Sequence, residues 1–561
     1  MNTARMSANE DVLKHSTLNR YLRGKKTSPS TVQFRNLRYA SIPARYKDSI
    51  PDDTLKSGPD DVVDATQFGS SCPHLRGSQA WDLTLTGDAV LSCDHGQGET
   101  EKMDEFECLN LNVTVPRTVL DVEKKGSRGL PVFVWVHGGG LSIGSNNWPQ
   151  YDLRRFVERS VEVGKPVIGV SINYRLNIFG FLASEEIGAD GNMGYKDQVL
   201  AFRWIKKHIA GFGGDPNNMT AAGESAGAIS LSTLLCANVG DEGLFDRVVV
   251  MSGDATLRKW RNRWWHQKMY EDQFQILKLD VRDTEARRKA LLDTDAEELV
   301  QKLPLAQHFG ATIDGQFMTQ DVTIEALMSG SSTIHKPSWC KEFVMGDTAH
   351  DGLVLKSRVL DHPECSTRLG KACDIHLTQS ETNELISVYG LNQSLSEEEE
   401  AERFLELASE LRFYLPVLKA YQGWKACSPP KRASRYHFHV PNPIEGPFKG
   451  LASHELDVAY LLQNYDEHFD EHDRMIARCM QDQFLRFING EGWVEDGKVV
   501  VFGRDGAVKV DEDKYDGLYR KGRGAVLEKI GVRKLWGVAD LWQGVRQEEE
   551  EHMSLGGDSK L

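Results

Sequence analysis

The pentad Gly223-Glu224-Ser225-Ala226-Gly227 sets a serine between glycines at the junction of two differently patterned stretches. Met219-Thr220-Ala221-Ala222 before it reads as a short buried strand, and Ile229, Leu231 and Leu234-Leu235 after it read as a helix. A strand that runs directly into a helix must turn sharply, and small flanking residues let the turn lift the serine oxygen clear of the backbone. Ser225 is therefore a candidate nucleophile. The pentad alone is a weak signal in a long chain, so the strand and helix around it carry the reading.

Upstream, Pro131-Val132-Phe133-Val134-Trp135-Val136 reads as a buried strand that runs into His137-Gly138-Gly139-Gly140. Successive glycines let backbone amides turn inward. Attack on an ester carbonyl places negative charge on its oxygen, and each amide fixed around that oxygen lowers the barrier by about 3 kcal/mol. Gly139, Gly140 and Ala226 are the expected donors.

Tyr195, Val199, Phe202, Ile205 and Ile209 recur at intervals of three and four, which predicts a helix with one apolar face that ends at Gly211 and Gly213-Gly214. Val167 to Ile172, Val248 to Met251 and Phe343 to Met345 are short apolar runs separated by helical stretches. Alternating strands and helices predict an α/β class with a mostly parallel sheet covered on both faces. Active residues of such sheets collect at the carboxyl ends of the strands, where the serine and the glycine run both fall.

With these features on the page, the chain resembles the type-B carboxylesterase and cholinesterase family of the α/β-hydrolase superfamily from about Phe34 to Trp493. Phe34 to Ala40 is similar to the family's opening strand and Glu107 to Val113 to its second signature. Asn173-Tyr174-Arg175, Gly191 to Gln198, Trp204 and Phe212 to Pro216 follow in the family's order up to the pentad. The resemblance implies an α/β-hydrolase fold with helical insertions around an active-site gorge, and a serine, acid, histidine order along the chain.

A serine at neutral pH needs a histidine to take its proton and a carboxylate to orient that histidine. Gly346 to Gly352 looks like the family's acid turn, which selects Asp351, an aspartate where most relatives carry glutamate; Asp347 is the alternative. Among 17 histidines, His454 follows the loop Pro443 to Gly450 and precedes an apolar helix, as the family's histidine does. His437 and His439 read instead as one face of a strand, and His350 either lines the pocket or sits in a solvated turn. For Glu224 the resemblance implies an electrostatic role beside the histidine, against a structural carboxylate bonded to backbone amides. Ser252 resembles the family's second pocket serine, one step removed from the chemistry.

The net charge of −15 argues against nucleic acid or an anionic membrane as a partner. No apolar run is long enough to span a membrane. Length alone would suggest several domains, yet the motifs cover most of the chain, so the expected layout is a 1–30 extension, a single 31–545 catalytic domain and a 546–561 acidic tail. The first thirty residues lack an apolar segment, so no secretory signal is expected. Cys72 and Cys108 match positions that secreted relatives bridge, but nine scattered cysteines without a signal favour buried thiols in an intracellular protein. The sequons at Asn112, Asn218 and Asn392 would then be unused. Glu397 to Glu400 reads as a helix start. The basic-aromatic stretch Arg258 to His266 reads as an amphipathic helix with inward tryptophans, or as a border of the gorge that favours a negatively charged or aromatic acyl group.

The expected activity is serine-dependent hydrolysis of carboxylic esters, without metal or organic cofactor, on a small-molecule ester. Acyl transfer or thioester cleavage by the same triad is the nearest alternative, and a non-catalytic cholinesterase-like binding protein a more distant one. Ser559-Lys560-Leu561 form the tripeptide that the peroxisomal import receptor reads, so the peroxisomal matrix is the expected location, with the cytoplasm as alternative.

Overall fold

Alternation along single strands explains how the interior is divided. In the strand Leu130–Val136, Val132, Val134 and Val136 join one apolar core while Phe133 and Trp135 join another on the opposite face. A strand that is apolar on both sides belongs in the middle of a covered sheet. The computed structural model, which describes residues 10–58, 61–91, 101–120, 129–279, 283–304 and 307–542, places it there.

The main sheet has 13 strands among the described residues. In chain order they are β1 (Glu10–His15), β2 (Arg20–Lys26), β3 (Thr31–Arg38), β4 (Val62–Ala65), β5 (Asn110–Pro116), β6 (Leu130–Val136), β7 (Ile168–Ile172), β8 (Gly214–Glu224), β9 (Arg247–Met251), β10 (Glu342–Thr348), β11 (Arg432–Phe438), β12 (Lys498–Gly503) and β13 (Gly506–Asp511). Their spatial order is β1-β2-β3-β5-β7-β6-β8-β9-β10-β11-β12-β13, with β4 beside β2. Pairing is parallel from β7 through β12 and antiparallel along the path beyond both ends. The chain leaves β6 for β7 on one side and returns to β8 on the other. That reversal opens a crevice at the carboxyl ends of β6 and β8, directly where the glycine run and Ser225 emerge.

The predicted helix is α1 (Met193–His208), followed by a tight turn and closed by Gly213 at φ 87°. Its Asp197 receives two side-chain hydrogen bonds from the buried Arg175, at 2.7 and 2.8 Å, which fasten the loop after β7 to the helix. The helix α2 (Ala226–Cys236) has every side chain from Ala226 to Leu235 buried, so it runs through the core beneath the crevice.

Three expectations change. Residues 10–26, read as part of an extension, supply β1 and β2 at the edge of the same sheet. The strand expected to stop at Met345 continues to Thr348. Gly346 does not break it, because a Cβ there would come within 2.1 Å of the Tyr436 ring on β11; the glycine makes room for a neighbouring strand rather than a turn. The stretch Arg258 to His266 is not one helix: helix begins at Arg263, Trp260 is buried and Trp264 is exposed. Cys72 and Cys108 are free buried thiols. No helix of the described residues is long and apolar enough to cross a membrane. Residues 543–561, with the acidic tail and Ser559-Lys560-Leu561, lie outside the described residues.

Candidate active site

Between β8 and α2, Ser225 has φ 51° and ψ −118°, a conformation costing on the order of 1–3 kcal/mol for a residue with a side chain. The surroundings enforce it. The Ser225 amide donates to the Met251 carbonyl of β9 at 3.0 Å, and Gly227 lies so close to β6 that a Cβ would sit 2.0 Å from the Val136 oxygen. Only a glycine lets α2 begin against that strand.

The next two strands deliver the acid. Asp351, fully buried, follows β10; its Oδ2 accepts from the Thr348 amide at 2.8 Å and from the Ser252 hydroxyl at 3.0 Å. Its Oδ1 accepts from His454 Nδ1 at 2.7 Å. His454 lies just ahead of the helix α3 (Leu456–Leu462). A proton on Nδ1 leaves Nε2 as the basic nitrogen. His350 neither lines the cavity nor stands in solvent: its amide donates to the Ala452 carbonyl at 3.0 Å, and the Ala452 amide donates to its Nδ1 at 2.9 Å. It stitches the acid loop to the histidine loop.

Asp347 goes elsewhere. It pairs with His437 at 2.5 Å and Arg520 at 2.9 Å rather than with His454. His437 and His439 both face Tyr515, as a single strand face requires. Of the two carboxylates considered for the acid, the structure brings Asp351 to His454.

Glu224 is fully buried, bonds no backbone amide among the described residues, and holds Oε1 2.9 Å from His454 Nε2. The contact is close but not aligned as a hydrogen bond, so it acts through charge. Burial alone would lower the His454 pKa, but the Glu224 charge and the bond to Asp351 outweigh it and hold the imidazole well above its ordinary value. Burial raises the Glu224 pKa against the opposing pull of His454. A base must be neutral to accept a proton, so the acid limb of kcat/KM should follow this raised value. In Glu224→Gln the limb is expected to move to lower pH; a limb that stays in place would remove Glu224 from the electrostatics of the site.

Gly139 and Gly140 have φ 96° and 62°, and their amides have no acceptor among the described residues. The Ala226 amide opens α2, where a helix leaves its first N–H groups unbonded. These glycines, Ser225 and His454 line one cavity of about 210 Å³. Its remaining walls escaped sequence reasoning except for Arg258. Arg358 comes from a π-helical turn at Lys356–Leu360, and Arg412 with Phe413 from another at Glu410–Tyr414. Such turns insert one residue per turn and often mark functional sites, but they leave no periodic signal in a sequence.

The Carboxylesterase family profile matches residues 19–496. The chain belongs to the carboxylesterase family. Lipase 1 of Yarrowia lipolytica is 37% identical over 228 residues, 39% of this chain and 42% of that protein. Lipase 3 of the same yeast is 27% identical over 470 residues, 82% of this chain and 85% of that protein. A solved Geobacillus stearothermophilus carboxylesterase superposes with a TM-score of 0.68 over 92% of this chain and 99% of its own, at 23% identity. That likeness shows the α/β-hydrolase fold for this carboxylesterase-family chain.

Proposed function

We propose that this protein hydrolyses carboxylic esters through an acyl-enzyme, with Ser225 as nucleophile, His454 as base and acid, and Asp351 orienting the imidazole. The observation that carries the reading is a serine held at positive φ beside a buried histidine whose Nδ1 is committed to a buried carboxylate. Family membership and the lipase relatives support it. Ser225 Oγ attacks the carbonyl carbon as its proton passes to His454 Nε2, and the carbonyl oxygen takes up negative charge facing the amides of Gly139, Gly140 and Ala226. Collapse expels the alcohol, which takes the proton from His454. Water, activated by the same nitrogen, then attacks the acyl carbon and restores the serine. The test is trapping. A p-nitrophenyl phosphonate should block turnover of a neutral p-nitrophenyl ester with one equivalent bound at Ser225; label on another residue would overturn the assignment.

We further propose delivery to the peroxisome, supported by Ser559-Lys560-Leu561 alone. With a fluorescent tag at the amino end, the full chain is expected in peroxisomes, and deletion of the tripeptide should disperse it through the cytosol without loss of esterase activity. A diffuse full chain would instead favour the cytoplasm.

A further inference from the structure

The cavity over Ser225 carries several cationic side chains. Arg258, Arg358, Arg412 and His308 all line it. Arg412 has its counter-charge in Asp540 at 2.7 Å. Arg258 donates to the Gly140 carbonyl at 3.3 Å and to the Gln307 carbonyl at 3.1 Å. The half-buried Arg358 differs from both. Among the described residues its side chain hydrogen-bonds to His308 Nε2 alone, at 3.2 Å, and no carboxylate of those residues lies within ion-pair distance of it.

His308 cannot satisfy both of its neighbours. Its Nδ1 stands 3.1 Å from Arg258 and its Nε2 3.2 Å from Arg358. A neutral imidazole carries one accepting nitrogen and one N–H, so it accepts from a single arginine. Arg258 keeps the Gln307 carbonyl in either tautomer. Arg358 therefore has, among the described residues, one acceptor at best for five N–H groups, in a place where water is partly excluded. Two acids also line the cavity, Asp82 and Glu455. The Tyr151 hydroxyl stands 3.1 Å from Asp82 and 2.9 Å from Glu455, and its single proton can be donated to only one of them. Burial pushes Asp82 up to about 7 and raises Glu455 above its ordinary range, and neither carboxyl lies within ion-pair distance of Arg358.

We propose that this cavity selects esters that carry a carboxylate, which the Arg358 guanidinium binds while the ester carbonyl reaches Ser225. The inference rests on the ester-hydrolase reading above and adds the substrate class. A guanidinium fork matches a carboxylate in shape and charge, and such bonds are shorter and stronger than neutral ones. The small volume points to short hemiesters of dicarboxylic acids or short hydroxy-acid esters rather than long acyl chains.

The experiment uses the full chain and two matched pairs. p-Nitrophenyl hemiglutarate against p-nitrophenyl valerate places the charge on the acyl side, and 4-acetoxybutyrate against pentyl acetate places it on the alcohol side. In at least one pair kcat/KM should favour the anion by about tenfold or more, the worth of one hydrogen bond to a charged group. The preference should vanish in Arg358→Gln, persist in Arg358→Lys and shrink as salt rises. Glutarate should compete against the neutral valerate ester. Should Arg358→Gln fail to fold, the salt dependence and glutarate competition in the unmodified protein decide. Equal turnover within both pairs, or a preference that survives Arg358→Gln, overturns the inference and leaves the esterase intact. Folded protein that turns over none of the four esters overturns the parent reading as well.

Discussion

Ser225→Ala is expected to lower ester turnover by about 10⁴-fold or more and to abolish phosphonate labelling, because the remaining amides and cavity supply only residual acceleration. The fold should survive. The change removes one oxygen, and alanine bears the same positive φ with no larger a Cβ, so the tight contacts around Gly227 and β9 are untouched. Far-ultraviolet circular dichroism and thermal melting should match the unmodified protein. Turnover that persists in this variant would mean that another group attacks the ester, and the reading of the strand-to-helix turn would fail.

The second large effect separates two aspartates. Asp351→Asn keeps the size of the side chain but offers His454 an amide in place of a carboxylate, which allows the imidazole to hold its proton on the wrong nitrogen. A fall of about 10⁴ in kcat is expected from that tautomer loss, with little change in melting. Asp347→Asn should do the reverse. It takes from Arg520 one of its two carboxylate partners, Glu410 remaining at 3.2 Å, and from His437 the carboxylate it is bonded to, and breaking a buried pair of this kind costs about 3 kcal/mol of stability or more. Its kcat per folded molecule should stay within a few-fold. If Asp347→Asn silenced the enzyme and Asp351→Asn did not, the acid would be Asp347.

Much of this arrangement was legible in the residues, and the reasons are local. The pentad and the apolar runs of β6, β8 and β9 obey short-range rules, and the alternation of Phe133 and Trp135 against the valines of β6 requires two covered faces. The choice of Asp351 over Asp347 came from family likeness alone. What decides it physically is the register of β10, which continues through Gly346 because of a ring on the next strand. No pattern within Gly346 to Gly352 contains Tyr436. The cavity walls were hidden for a similar reason. Arg358 and Arg412 sit on helical turns that break the 3.6-residue period, and His308 reaches them from a distant loop.

The stitch at His350 has a mechanical consequence. Because backbone and imidazole bonds tie the acid loop to the segment carrying His454, the two should open and exchange their amide hydrogens as one unit, while the serine turn is bonded through the amide of Ser225 to β9, whose side-chain bond to the acid is the single one from the Ser252 hydroxyl just past its end. Heat or denaturant should therefore part the base from the nucleophile before it parts the base from its acid. A protein warmed toward its midpoint would lose turnover while the Asp351 to His454 proton, followed by nuclear magnetic resonance, still reports an intact bond. Mobility in this molecule would then be concentrated at the single seam across which the substrate has to lie.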